Sequence, residues 1–113
     1  MVTDTIQRRL TAIAEPNRFR IVELLRDGPR SVGGIVVDLD MGQPQVSRHL
    51  RLLAEAGVVD ATKRAQQRIY RLRPDSMREL SDWTQRFAGL WSERMDRLGS
   101  FLGETQIGES EHV

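Results

Sequence analysis

Two short helices that meet at a three-residue break constrain the fold of this chain most strongly. Residues 31–39 predict a helix that Ser31 caps, and Asp40-Met41-Gly42 ends it. A second helix is predicted over residues 43–56, and its inward stripe consists of Val46, Leu50 and Leu53. Two short helices joined by such a turn form a helix-turn-helix.

A β-hairpin is predicted directly after these helices. Residues 58–63 and 68–73 are short runs rich in branched and aromatic side chains, which favour strands. Residues 64–67 between them are mainly polar and basic, and they form the predicted tip. Because a two-stranded hairpin is barely stable alone in water, we expect it to pack on the helices.

The rest of the chain predicts three further helices. Residues 5–14 and 16–26 form an opening pair, and Pro74 starts a last helix that extends to about residue 102. The last helix carries one continuous apolar stripe, which includes both tryptophans of the chain. Few elements remain to cover this stripe, so it predicts pairing with a second copy of the chain through the first and last helices. The predicted interface residues are Ile6, Leu10, Ile13, Trp83, Phe87, Leu90, Trp91, Met95 and Leu98.

The predicted architecture is mainly α with a small β-hairpin, an α+β fold in the order α-α-α-α-β-β-α. With 113 residues, the chain has room for one domain, which we place at residues 1–102. Residues 103–113 lack periodicity and are acidic, so they predict a flexible tail.

The charges are unevenly distributed, although the formal net charge is only +1. Residues 1–73 contain 13 basic and 8 acidic residues, whereas residues 74–113 contain 4 and 8. Most of the basic excess lies in residues 41–73, with 7 basic and 2 acidic residues. This asymmetry predicts a surface that meets a polyanion, with a clustered solvated face as the alternative.

Several classes of protein are excluded by composition. The chain has no cysteine, which excludes disulfides, thiolate metal sites and cysteine nucleophiles. We therefore expect no metal and no cofactor. The first residues lack the pattern of a signal peptide, and nowhere do 18 apolar residues run together, so we expect no membrane partner and a cytoplasmic location.

Five pieces of the chain, in order, carry a resemblance to a known family. They are residues 15–21, the run Gln43-Pro44-Gln45-Val46-Ser47-Arg48-His49-Leu50, residues 52–59, residues 68–72, and residues 82–98. Together they resemble the ArsR/SmtB family of winged helix-turn-helix repressors, in a subgroup without cysteine metal sites. The chain departs from the family pattern at the Gly42 cap position, at Gly33-Gly34 and at a wing tip without glycine.

The resemblance implies that the helix over residues 43–56 is the recognition helix, which lies in the major groove of DNA. Gln43 and Gln45 suit base edges, because an amide pairs bidentately with adenine. Arg48 suits either guanine or a phosphate, whereas Arg51 lies a turn further from the groove and is assigned to phosphate. The predicted DNA-contacting residues of this helix are Gln43, Pro44, Gln45, Ser47, Arg48 and Arg51.

The hairpin takes the place of the wing in this resemblance. Its polar and basic side chains would straddle the DNA backbone or enter the adjacent minor groove. The predicted contacts are Lys63, Arg64, Gln66, Gln67 and Arg68. His49, in contrast, lies beside the buried stripe, so we expect it to be structural rather than to contact DNA.

These features predict a homodimeric, sequence-specific DNA-binding transcriptional regulator. It would most simply repress transcription from a palindromic operator, which it reads with helix 43–56 and the wing over 60–71. The alternative is a winged-helix protein-interaction module without specific DNA binding. We expect no enzymatic activity, since the sequence contains no Ser/His/Asp set, glycine-rich phosphate loop or metal-ligand spacing. The sequence identifies neither an effector nor an operator.

Overall fold

The computed structural model describes the backbone of residues 2–102 and, within that range, every side chain except those of residues 2, 3, 91, 92 and 100–102. It confirms the predicted winged helix-turn-helix and its element order, and it adds one short strand. The elements are α1 (Val2–Ala14), α2 (Pro16–Leu25), β1 (Arg30–Ser31), α3 (Val32–Leu39), α4 (Gln43–Glu55), β2 (Val59–Arg64), β3 (Gln67–Leu72) and α5 (Pro74–Leu102).

The sheet has three antiparallel strands in the order β1-β3-β2, whereas the sequence predicted only the two strands of the hairpin. Strand β1 pairs Arg30 with Tyr70 and Ser31 with Ile69. A two-residue strand shows no alternation of apolar and polar residues, so no sequence pattern marks it. This pairing ties the wing to the segment between α2 and α3.

The core lies among α2, α3, α4 and the sheet. The apolar stripe predicted for the second helix of the helix-turn-helix is buried as expected, and it meets side chains from the neighbouring elements. Among the described side chains, the fully buried hydrophobic residues are Ile21, Ile35, Val46, Leu50, Leu53, Val58 and Val59. Burial of each of the three apolar side chains of the α4 stripe is worth about 1.5–3 kcal/mol, so this stripe fixes the orientation of α4.

Two left-handed residues set the ends of α3 and α4. Asp40 takes φ 54° and ψ 52° and ends α3, a conformation that aspartate tolerates better than most residues. Gly57 takes φ +80° after α4, while Val58 N–H donates to Leu53 O at 2.9 Å and Gly57 N–H donates to Ala54 O at 3.0 Å. These two bonds form a Schellman motif, which turns the chain from α4 directly into β2.

Contacts within the chain divide it into two compact units, residues 1–80 and the residues from 81 onward. The first unit contains the complete winged helix-turn-helix, and the second contains the larger part of α5. The predicted tail, residues 103–113, lies outside the described residues. Within the described part of the chain, no helix combines the length and the apolar character needed to cross a membrane.

Candidate nucleic-acid interface

Helix α4 has one buried face and one face that is open to solvent. All six residues predicted to contact DNA from this helix are exposed, whereas Val46, His49, Leu50 and Leu53 are buried. The helix begins at Gly42 without a side-chain cap, as the glycine at that position implies. Backbone N–H groups of the first turn therefore stay free at the positive end of the helix, where an anion binds favourably.

The wing ends in a tighter turn than the sequence predicted. The ladder between β2 and β3 continues to the pair Arg64–Gln67, so the turn itself is only Ala65-Gln66 instead of residues 64–67. Ala65 takes φ +56°, a value that usually requires glycine. All five predicted contacts of the wing, Lys63, Arg64, Gln66, Gln67 and Arg68, are exposed.

The basic residues of positions 41–73 divide into two groups according to their partners. Arg71 is held by Asp60 at 2.9 Å across the sheet, and Arg73 is held by Asp75 at 2.8 Å. The Arg73–Asp75 contact lowers the pKa of Asp75 and raises that of Arg73, mainly through their side-chain hydrogen bond. The other five cations form no ion pair or side-chain hydrogen bond within the described residues: Arg48, Arg51, Lys63, Arg64 and Arg68.

The buried side of α4 is joined to α2 by a polar contact. His49 is 5% exposed, and its Nδ1 lies 3.3 Å from a guanidinium nitrogen of Arg18. Burial lowers the pKa of His49 from its ordinary value of 6.5. The structure thus confirms the predicted place of His49 beside the buried stripe. The contact of Arg18 with His49 could not be predicted, because a half-buried arginine in α2 follows no periodic pattern.

The residues predicted to form a dimer interface differ in how much surface they offer. In the first unit, Ile6 is already 3% exposed and Ile13 packs against the core, so Leu10, at 38%, is the most accessible of the three. In the second unit, Trp83 packs edge-to-face on Phe87 with ring centroids 5.0 Å apart. Four residues of the α5 stripe are exposed, namely Phe87, Leu90, Met95 and Leu98, while the side chain of Trp91 is outside the described set.

The described side chains include no group of three or more histidine, aspartate or glutamate residues placed to hold a metal ion. The site therefore consists of an exposed polar helix face, a basic wing tip and free backbone N–H groups. Such a set can hydrogen-bond base edges and neutralise phosphates.

Comparison with known proteins identifies the same segment. Residues 15–61, from the start of α2 into β2, match the model for "bacterial regulatory protein, arsR family". A biofilm growth-associated repressor of Agrobacterium fabrum is 39% identical over 71 residues, which cover 63% of this chain and 61% of that protein. An HTH-type transcriptional regulator of Mycobacterium tuberculosis is 36% identical over 97 residues, which cover 81% of this chain and 90% of that protein.

Solved structures give the same result. A crystal structure of a possible transcriptional regulator for arsenical resistance has a TM-score of 0.63 at 34% identity, covering 85% of this chain and 97% of the other. The homodimeric winged helix-turn-helix DNA-binding domain of a possible ArsR-family regulator of Mycobacterium bovis has a TM-score of 0.64 at 28% identity, covering 77% and 81%. These relatives are transcriptional regulators and not enzymes. The family match, the similar relatives and the shared fold show that the chain belongs to the ArsR family of bacterial helix-turn-helix transcriptional regulators.

Proposed function

We propose that this protein is a cytoplasmic, homodimeric transcriptional repressor that binds a palindromic operator with α4 and the wing. The observation that carries the proposal is the set of five exposed, unpaired cations on α4 and the wing tip, beside arginines at the other end of the wing that are paired. Unpaired exposed cations are available to phosphates, whose neutralisation releases counterions and drives binding.

Helix α4 supplies the sequence-reading residues in this proposal. Its buried stripe fixes which face looks outward, so Gln43, Gln45 and Arg48 project from the first two turns. Glutamine pairs with adenine and arginine with guanine, and each good bidentate contact discriminates by about 1–3 kcal/mol. Pro44 sets the start of the helix, and Ser47 hydrogen-bonds either a base edge or a phosphate.

The remaining polar side chains bind the DNA backbone. Arg51 lies further along α4 and contacts a phosphate beside the major groove. The wing tip, built on the turn Ala65-Gln66, places its cations and glutamines along the backbone or in the adjacent minor groove. These contacts position the protein and add affinity that is independent of sequence.

Dimerisation supplies the second recognition helix. The exposed apolar residues of α5, among them Met95 at 60% exposure, would be buried by a second copy of the chain. Leu10 of α1 is also exposed and is a second proposed contact with that copy. Ile6 is buried within its own chain and therefore offers little accessible surface to a partner. The homodimeric M. bovis domain supports this arrangement. Two helices related by a two-fold axis read half-sites about 34–36 Å apart.

The experiment begins with selection of DNA fragments from the organism's own genome on the purified protein. We expect enrichment of an imperfect palindrome. The double variant Arg48→Ala/Arg51→Ala then loses specific binding in a gel-shift assay, by about 100-fold or more, because base contacts and phosphate contacts disappear together. Light scattering should still show a dimer.

Arg26→Ala is the matched control, because Arg26 is an exposed cation at the end of α2 whose nearest carboxylate, that of Glu23, is 3.8 Å away. This variant should bind the operator as the wild type does. Normal operator binding by the double variant would show that α4 does not read DNA. Failure of the wild type to enrich any fragment would favour the protein-interaction module instead.

A further inference from the structure

Arg18 connects three helices through three separate groups. Its backbone N–H donates to the Glu15 carboxylate at 2.8 Å, which caps α2. Its Nε donates to Ala12 O in α1 at 2.7 Å, and its guanidinium reaches His49 Nδ1 in α4 at 3.3 Å. The side chain is therefore a brace between α1 and the buried face of the helix that carries the DNA-contacting residues.

This contact admits only one protonation state of His49. A guanidinium donates hydrogen bonds and accepts none, so Nδ1 must present its lone pair and the ring proton must be on Nε2. A proton on Nδ1 would place two donors and two positive charges against each other in a site that is almost closed to water. The Arg18–His49 contact and a charged His49 are thus incompatible.

The charged groups around His49 act in opposite directions. The Glu15 carboxylate at the start of α2 favours the protonated ring, whereas Arg18 in α2 and Arg48 in α4 disfavour it. The hydrogen bond from the backbone N–H of Arg18 lowers the pKa of Glu15 and so favours its anionic form. Burial is the largest influence on the ring and lowers the pKa of His49, so the neutral form is the one that the fold holds.

We propose that Arg18 is a positioning residue that holds α4 in its DNA-binding orientation only while His49 is neutral, so that acidification releases the recognition helix. This inference rests on the proposed function for its consequence in DNA binding, but the protonation-dependent contact can be measured without DNA. Because folding lowers the pKa of His49, the stabilisation is complete above 6.5 and is lost progressively as the pH falls below that value.

The first test compares the wild type with His49→Asn, whose Oδ1 keeps an acceptor near the position of Nδ1 but does not titrate. The free energy of unfolding and the operator affinity are measured at about pH 7.5 and about pH 5.5 at constant ionic strength. We expect the free energy of unfolding of the wild type to fall between these two pH values, and its operator affinity to fall as His49 becomes protonated, whereas the affinity of the variant changes by less than about twofold. His112→Asn, which removes the other histidine, should behave as the wild type does.

The second test measures the protonation of the two His49 ring nitrogens directly, by ¹⁵N NMR of the full chain. At neutral pH, Nδ1 should be the unprotonated nitrogen, and the Arg18→Met variant should shift the titration of His49 to higher pH because a repelling cation is gone. A proton on Nδ1 at neutral pH, or equal pH dependence of unfolding in the wild type and His49→Asn, would overturn the inference. If no operator exists, the proposed function fails, while the unfolding and NMR measurements still decide this inference.

Discussion

The two ends of the wing use the same types of residue in opposite ways. At the end near the core, which we call the wing root, Arg71 and Arg73 are each held by an aspartate of the same chain. At the tip, Lys63, Arg64 and Arg68 are exposed and, within the described residues, have no carboxylate partner. Charge at the root is neutralised inside the fold, whereas charge at the tip remains available to an external anion.

The strand register explains the contrast. Asp60 lies directly opposite Arg71 at the root, so the pairing places an acid against a base. Lys63 lies directly opposite Arg68 near the tip, so the same ladder places two cations against each other. Like charges at opposed positions are destabilising by about 0.2–1 kcal/mol. The repulsion between Lys63 and Arg68 therefore destabilises the tip. A bound polyanion would neutralise both charges and remove this repulsion.

Within the wing, the largest effect is expected from removing the three tip cations together. In Lys63→Ala/Arg64→Ala/Arg68→Ala, affinity should fall by about 10- to 100-fold for operator and unrelated DNA alike, because phosphate contacts do not depend on sequence. Stability should stay the same or rise, since the Lys63–Arg68 repulsion is gone. Fluorescence anisotropy with both DNAs and a denaturant titration measure this; loss of affinity for the operator alone would contradict the assignment to phosphate.

A smaller effect is expected at the root. Arg71→Ala should lower the free energy of unfolding by about 0–1 kcal/mol, which is typical of an exposed ion pair. Operator affinity should change by less than about threefold, since Arg71 is engaged with Asp60 in the fold. The same two assays apply. A loss of affinity as large as that of the tip variant would remove the distinction between root and tip.

The smallest effect is expected in the turn itself. Ala65→Gly should raise the free energy of unfolding by about 0.5–1 kcal/mol, because glycine adopts φ +56° without the steric cost that alanine bears. Denaturant unfolding measures the change, and operator affinity should remain close to that of the wild type. A destabilised variant would show that the left-handed turn is not strained.

Much of the fold could be predicted because long periodic patterns determine it. The stripe of α4 and the extent of α5 follow from the helical spacing of apolar residues, together with Pro74 at the start of α5. The exposed face of α4 follows from the same pattern, since the residues left over from a buried stripe must face outward. The predicted site residues on α4 and the wing are accordingly exposed, while their contacts with DNA remain predictions.

Features that depend on single contacts could not be predicted. The strand Arg30–Ser31 is too short to have a pattern, and the cap of α2 is Glu15, a residue type that is not favoured there. Arg9 is buried and paired with Glu79, 70 positions away, so no local signal reveals it. The turn at Ala65 lacks the glycine that marks such turns.

The central claim is that unpaired cations on α4 and the wing bind DNA phosphates, and the salt dependence of operator binding tests it most directly. The slope of log affinity against log salt concentration should be smaller for the triple tip variant than for the wild-type dimer by about 5, since about six cations are removed and each contributes about 0.9. The Arg71→Ala variant should keep the wild-type slope. An unchanged slope in the triple variant would contradict the account.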